Sequence, residues 1–381
     1  SDADLDVLLF ATFLIPVIFV YNSLEAISIG FKPQARSYTI LLFEIIKIPL
    51  GLMFVYYLEM DVKGVILAIL LAYFVSTIFL AFLARKQLQT KFKKKYLVKW
   101  IKMFWLPTYR TLPSSLAMSD VTVFTIITGS VVGVAYYTAA KTIGMLVNHV
   151  RAFSIGVYPK LLESEKQEFL QENLIKLFYF AFPLTAFAIV FAKPGLFILN
   201  PIYVVGTSFV IFISLRMFLK TLNQVFFEAM TGLEKIDKNQ NASFKDYVKS
   251  KLVWIPTFDL IRHGIYIGIL AILLLFVKSE TDSMLDLVLY WSIIGFVVEI
   301  PLTIYIIYLT KKSFTLNVDK GSLLKYLFVT VIVFGSIGMI MENNLVYKES
   351  IFEFLPNLLI YVSVSIGAYL GTTFFIDIKT K

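Results

Sequence analysis

The sequence predicts an all-α fold, a polytopic membrane helix bundle, on three observations. Hydrophobic residues make up 58% of the chain and charged residues only 16%, with mean hydropathy +0.79, whereas soluble domains carry about 25% charged residues. Apolar stretches of about 20 residues, the length that crosses a hydrocarbon core of about 30 Å, recur from end to end. Basic residues gather in alternate connections, as the positive-inside rule requires of cytoplasmic loops. The absence of cysteine excludes a disulfide framework and a thiolate metal site, and His149 and His263 form no HExxH pair. The net charge of +9 is read as loop placement and attraction to anionic lipid, not as a nucleic-acid footprint.

Taken in order, eleven segments qualify as helices: 5–29, 38–58, 62–84, 103–129, 132–158, 174–192, 202–227, 258–277, 284–310, 322–341 and 354–376. The connection 85–102 holds Arg85, Lys86, Lys91, Lys93, Lys94, Lys95, Lys99 and Lys102 without an acid, which assigns it to the cytoplasm. Alternation from there places twenty-four basic residues on the cytoplasmic side and only Lys63, Lys193, Lys278 and Lys348 outside. The C-terminus is then cytoplasmic, and the first helix enters from outside. A cytoplasmic N-terminus requires an odd number of further helices before Ser1, and three would make fourteen. The acidic start Ser1-Asp2-Ala3-Asp4 lacks the basic region of a signal peptide and reads as an internal cut in a longer protein. An eleven-helix chain with an outside N-terminus is the alternative.

Two stretches share an order of features. The first helix ends in Leu24-Glu25-Ala26 with Gly30 and Lys32, the seventh in Phe227-Glu228-Ala229 with Gly232 and Lys235. Each precedes a two-helix hairpin closed by a basic pair, Arg85-Lys86 or Lys311-Lys312, with an insertion around 236–256 in the second copy. Parallel repeats of this kind are a transporter architecture with a cavity between halves.

The segment Leu106-Pro107, Asp120, Gly129-Ser130-Val131-Val132-Gly133-Val134-Ala135-Tyr136-Tyr137-Thr138-Ala139-Ala140-Lys141 and Tyr158-Pro159-Lys160 resembles the seventh and eighth helices of polysaccharide-type flippases. These are Wzx-like members of the multidrug/oligosaccharidyl-lipid/polysaccharide exporter superfamily. The resemblance implies a two-lobed bundle of fourteen helices, of which this chain holds helices four to fourteen. Residues 1–102 would be the remainder of the N-terminal lobe, 103–312 the C-terminal lobe and 313–381 two additional helices. It further implies movement of lipid-diphosphate-linked glycans to the outer leaflet by alternating access.

Charges within the spans are the candidate functional residues, because each is expensive in hydrocarbon unless paired or facing a wet cavity. Asp120 and Lys141 mirror each other about a turn near 130–131. They read either as a structural ion pair or as a proton- or cation-sensitive gate. The same mirror matches Arg110 with Arg151, which either share an anion in their planar donor forks or snorkel to headgroups. Arg216 and Lys220 lie four apart on one helix face with Asn223 and Gln224 a turn further on. Arg262 and His263 enter on the next helix, and the group together makes a cationic cavity suited to a diphosphate. Glu299 precedes Pro301 and reads as a coupling carboxylate or as a partner of Arg216 or Lys220. Glu44 and Lys47 are spaced to pair on one helix. Tyr136 and Tyr137 are given no sugar-binding role. The sequon Asn241-Ala242-Ser243 falls in a cytoplasmic connection and is discounted.

The expectation is therefore a transporter, not an enzyme. It is a flippase of a prokaryotic plasma membrane, with Arg110, Arg151, Arg216, Lys220 and Arg262 on the substrate and Asp120, Lys141 and Glu299 coupling or gating. No metal or organic cofactor is expected, with a proton or sodium ion as coupling partner. The expected partners are the lipid-diphosphate glycan, membrane lipids and glycan-assembly enzymes, with no nucleic acid. A cation-coupled multidrug antiporter is the first alternative, opposed by the basic lean of the intramembrane charges. A membrane glycan polymerase or ligase is the second, opposed by the short outer loops. A non-transporting scaffold leaves so many buried charges unexplained.

Overall fold

The computed structural model describes residues 5–32, 34–89, 94–153, 167–232, 234, 236, 243–280, 283–314, 319–348 and 350–376. Tyr158-Pro159-Lys160 and Asn241-Ala242 lie outside them. The described residues are almost all helical, with no strand among them. The elements are α1 (Leu5–Phe31), α2 (Ala35–Leu52), α3 (Asp61–Leu83), α4 (Arg85–Leu88), α5 (Lys94–Met103), α6 (Trp105–Thr128) and α7 (Val131–Gly144). They continue with α8 (Gln167–Val190), α9 (Ala192–Leu199), α10 (Thr207–Gly232), α11 (Phe244–Lys249), α12 (Lys251–Lys278), α13 (Met284–Val297), α14 (Glu299–Ser313), α15 (Lys320–Asn344) and α16 (Ile351–Ile376). The chain divides into two compact units, Ser1–Ile101 and Lys102–Lys381.

Nine helices among the described residues are long and apolar enough to cross a membrane, so the protein is a multi-pass helical bundle. The other two expected crossings differ for physical reasons. Helix α6 has the length, 24 residues, but Thr108, Arg110, Thr111, Ser114, Ser115 and Asp120 dilute its apolar character. Helix α7 ends at Gly144 and runs on as a 3-10 helix over Met145–Phe153.

In the first unit α3 packs against α1 and α2 through a ridge of buried small residues, Gly64, Ala68, Ala72 and Ser76, four apart along one face. Lipid tails are as apolar as a leucine side chain, so close backbone approach replaces the hydrophobic drive between such helices. Phe13, Ile15 and Phe19 on α1 stay exposed, as residues facing hydrocarbon do. Glu44 and Lys47 pair at 2.6 Å on α2.

In the second unit the hairpin α6–α7 turns where the spacing predicts. Gly129 closes α6 in the left-handed region at φ 70°, and Ser130 caps α7 by accepting from the Gly133 amide. A core of Phe124, Tyr137, Phe209, Ile213 and Trp291 joins this hairpin to α10 and α13. Helix α6 lies along α12, tied by the Tyr109 hydroxyl and Thr257 Oγ1 at 2.6 Å. Helices α13 and α14 form one span of 30 residues, Met284–Ser313, broken at Val298 next to Glu299 and Pro301, where proline cannot continue the upstream hydrogen bonding. Helix α15 packs on α8, and α16 is fastened there by the Tyr369 hydroxyl, which donates to the Tyr179 carbonyl at 2.6 Å.

Gly133 has no room for a side chain: a Cβ there would sit 2.6 Å from Phe124 Cε1 and 2.8 Å from Met284 Sδ. Gly133→Val should therefore destabilise the second unit by about 1–3 kcal/mol through overpacking, read as a lowered midpoint in thermal unfolding of the detergent-solubilised protein. An unchanged midpoint would mean that this contact is loose.

Candidate functional site

A cavity of about 400 Å³ opens inside the second unit between α6, α7, α10, α12 and α14. Seven of the eight candidate residues line it: Asp120, Lys141, Arg151, Arg216, Lys220, Arg262 and Glu299. Arg110 lines an adjoining cavity of about 200 Å³, whose walls Ser114, Gln224, Phe227 and Asp259 are shared with the first. Arg110 and Arg151 are exposed, whereas Arg216, Arg262, Asp120 and Glu299 are buried. The helical period explains the convergence on α10, because Arg216, Lys220, Asn223 and Gln224 recur on one face and all reach the cavity.

Arg216 is 4% exposed, and its environment supplies partners of an unusual kind. Its Nη1 donates to the hydroxyls of Tyr137 and Tyr266, each at 3.3 Å, and its guanidinium lies 4.4 Å from the centre of the Tyr266 ring. A desolvated cation over an aromatic face gains about 2 kcal/mol. The Tyr266 hydroxyl also accepts from Trp291 Nε1 at 2.9 Å and donates to Asp120 Oδ2 at 3.0 Å. With two donors pointing at its oxygen, its single proton is committed to Asp120. Trp291 stacks on Tyr137 at 3.6 Å between ring centres and on Phe124 at 4.6 Å, which fixes the orientation of the indole. Gly295 makes room for the guanidinium, since a Cβ there would lie 2.5 Å from Arg216 Nη1.

Arg262 is neutralised twice. Its Nη1 binds Glu299 Oε2, and its Nε and Nη2 reach Asp259 Oδ1 at 2.9 and 2.6 Å. Glu299, 1% exposed, also accepts from Asn223 Nδ2 at 3.0 Å. His263 lies against the same cluster, with Nδ1 2.9 Å from the Asp259 carbonyl.

These pairings correct two sequence expectations. Asp120 and Lys141 both line the cavity but form no ion pair, because the Asp120 carboxylate is held by Tyr266 and by the Val121 amide at 2.8 Å. Glu299 serves Arg262 and Asn223, not Arg216 or Lys220. Arg151 and Arg110 line the two adjoining cavities. Tyr137, given no role from sequence, holds Arg216. Sequence reasoning passed over Asp259, Tyr266, Trp291 and Gly295. Asp259 and Tyr266 carried a usable signal, lying three before and four after Arg262 on one helix face. Trp291 and Gly295 carried none, since they act through tertiary packing.

The charge pattern that results is uneven. The carboxylates Asp259 and Glu299 are used by Arg262, and Asp120 is engaged by a tyrosine. Among the described residues no carboxylate lies within 4.0 Å of Lys141, Arg216 or Lys220. Arg216 Nε and Asn223 Oδ1 are buried with no hydrogen-bond partner among those residues. The arrangement favours an anion in the cavity, and no group of His, Asp and Glu among the described residues is placed to hold a metal.

Removing one side of the Arg262–Glu299 pair strands a buried charge, so Arg262→Ala should destabilise the protein by about 3–5 kcal/mol. Adding Glu299→Gln should restore more than half of that loss in the thermal midpoint, and equal losses in both variants would mean that the pair is not energetically coupled. No protein-family model matches the chain, and neither a curated protein nor a solved structure is detectably similar to it.

Proposed function

We propose that the protein is a flippase that moves a lipid-diphosphate-linked oligosaccharide or polysaccharide repeat unit across a prokaryotic plasma membrane, with its C-terminus in the cytoplasm. The observation that carries this reading is the set of cations without carboxylate partners, Lys141, Arg216 and Lys220, around a cavity of about 400 Å³ in a multi-pass helical bundle. A diphosphate presents several anionic oxygens, and charge-assisted hydrogen bonds from Lys and Arg are about twice as strong as neutral ones. Arg216 meets it from a fixed position, because Tyr137, Tyr266 and Gly295 leave the guanidinium little freedom. Lys141 and Lys220, half-buried, supply adjustable point charges. Arg110, exposed in the adjoining cavity, is the first cation met on entry.

Transport requires that the anion be released on the far side, and two groups are suited to govern that. Protonation of Asp120 would redirect the Tyr266 hydroxyl and change the field at Arg216. The Glu299–Arg262 pair sits at the break between α13 and α14, where a helix can hinge. A multidrug antiporter fits less well, since an organic cation would meet five Lys and Arg side chains in the cavity against three carboxylates.

The test is translocation of a fluorescent lipid-diphosphate oligosaccharide in proteoliposomes. Removing two charged donors, each worth about 1.5–3 kcal/mol, should slow Arg216→Ala/Lys220→Ala at least about tenfold. Lys141→Gln/Lys220→Gln, which spares the Arg216 clamp, serves as the variant in which loss of folding is not at issue. Full transport in the second variant would discard the cationic site, and no transport by the wild type together with efflux of organic cations would favour the antiporter.

A further inference from the structure

The smaller cavity differs from the larger one it adjoins in the kind of hydrogen bond it offers. Along one face of α10 the residues Arg216, Lys220, Gln224, Glu228 and Thr231 follow at helical spacing, and the chemistry changes on the way. The two cations line the larger cavity, Glu228 and Thr231 the smaller, and Gln224 both. Glu228 accepts from Gln224 Nε2 at 2.7 Å, which orients that amide. The Thr231 hydroxyl directs its proton to the carbonyls of Phe227 and Glu228, at 2.8 and 3.1 Å, so its oxygen meets the cavity with lone pairs alone. Asp259 arrives from α12, with Oδ1 on Arg262 and 25% of its side chain still exposed.

Acceptors gathered in this way do not suit a diphosphate, whose ionised oxygens can only accept. A sugar hydroxyl donates as well as accepts, and carboxylate and threonine oxygens take its proton. Phe227 and Pro256 complete the wall with apolar surface, which matches the C–H face of a sugar ring. The charges in this wall balance, Arg110 against Glu228, with Asp259 already matched by Arg262, so the pocket favours an uncharged group where the larger cavity favours an anion. Its volume of about 200 Å³ is the space of roughly seven waters, the scale of one sugar ring and not of a whole repeat unit. Lys220 and Glu228 are eight residues apart, about 12 Å along the helix, which is the reach from a diphosphate to the far edge of the sugar it carries.

We propose that the smaller cavity is the subsite for the sugar joined directly to the diphosphate, that this sugar is an uncharged hexose, and that Glu228 and Thr231 are its specificity-determining residues, a step that rests on the transport reading above. Glu228 and Thr231 accept from the ring hydroxyls, Arg110 donates to them, and the diphosphate stays with Arg216 and Lys220 one to two turns back along α10. An acidic sugar such as glucuronic acid is disfavoured, because its carboxylate would meet Glu228.

Calorimetric titration of the detergent-solubilised protein tests this with farnesyl diphosphate alone, with the same diphosphate carrying glucose or N-acetylglucosamine, and with the same carrying glucuronic acid. An uncharged sugar should tighten binding about fivefold over farnesyl diphosphate, the scale of one or two hydrogen bonds, and glucuronic acid should add less. Thr231→Val should reduce the gain from the uncharged sugar while farnesyl diphosphate itself binds as before, which also reports that the variant is folded. Glu228→Gln, which leaves Arg110 unbalanced, should raise the affinity for the glucuronic acid probe relative to the glucose probe. Equal binding of farnesyl diphosphate with and without an uncharged sugar would overturn the subsite and leave the diphosphate site standing. A sugar gain unchanged in both variants would also overturn it, placing the sugar elsewhere. Failure of farnesyl diphosphate itself to bind would overturn the transport reading and the subsite with it.

Discussion

The constraint on which the second unit depends is the price of a formal charge inside a membrane bundle, several kcal/mol unless partners meet it. Arg216 satisfies it without a carboxylate. Two tyrosine hydroxyls, one aromatic face and a glycine on the opposite helix hold the guanidinium, and the tyrosines are themselves oriented by Trp291 and Asp120. A carboxylate in direct contact would have cancelled the charge. Hydroxyl and π partners stabilise it while leaving its field in place for an anion. Arg262, a few residues along the neighbouring helix, shows the opposite solution, with Glu299 and Asp259 both bound to it. One arginine is thus structural in character and the other electrostatically open.

That difference also organises the fold around the cavity. The Arg216 clamp draws on α10, α7, α12 and α13, and the Arg262 cluster on α12, α10 and α14, so two helices, α10 and α12, contribute to both. Between them lies Lys220, on the face of α10 that the helical period sets toward the cavity. The break at Val298 separates Trp291 and Gly295, which serve the first cluster, from Glu299, which serves the second. A movement at that break would change the spacing of the two clusters without unpacking either.

How much of this was legible in sequence depends on the kind of interaction. Spans and their ends were readable wherever apolar runs stop at charge or at turn residues, as at Gly129-Ser130 and at Glu299 before Pro301. Helices α6 and α7 were harder because their cavity-facing polar residues weaken the apolar signal that a lipid-facing helix keeps. The convergence of Arg216, Lys220 and Arg262 followed from the rule that buried charges face a bundle interior. Which acid met which base did not follow: Asp120 and Lys141 share the cavity, yet Asp120 is bound by a tyrosine 146 residues away. Pairing across helices is set by tertiary packing, and periodicity along one helix carries no information about it.

The central claim is that the cavity is an anion site, and calorimetric titration of the detergent-solubilised protein with inorganic pyrophosphate tests it most directly. The account predicts saturable binding at a single site that weakens steeply as salt is raised, with no comparable heat from an organic cation. Absence of pyrophosphate binding at low salt, or binding of the organic cation in its place, would contradict it.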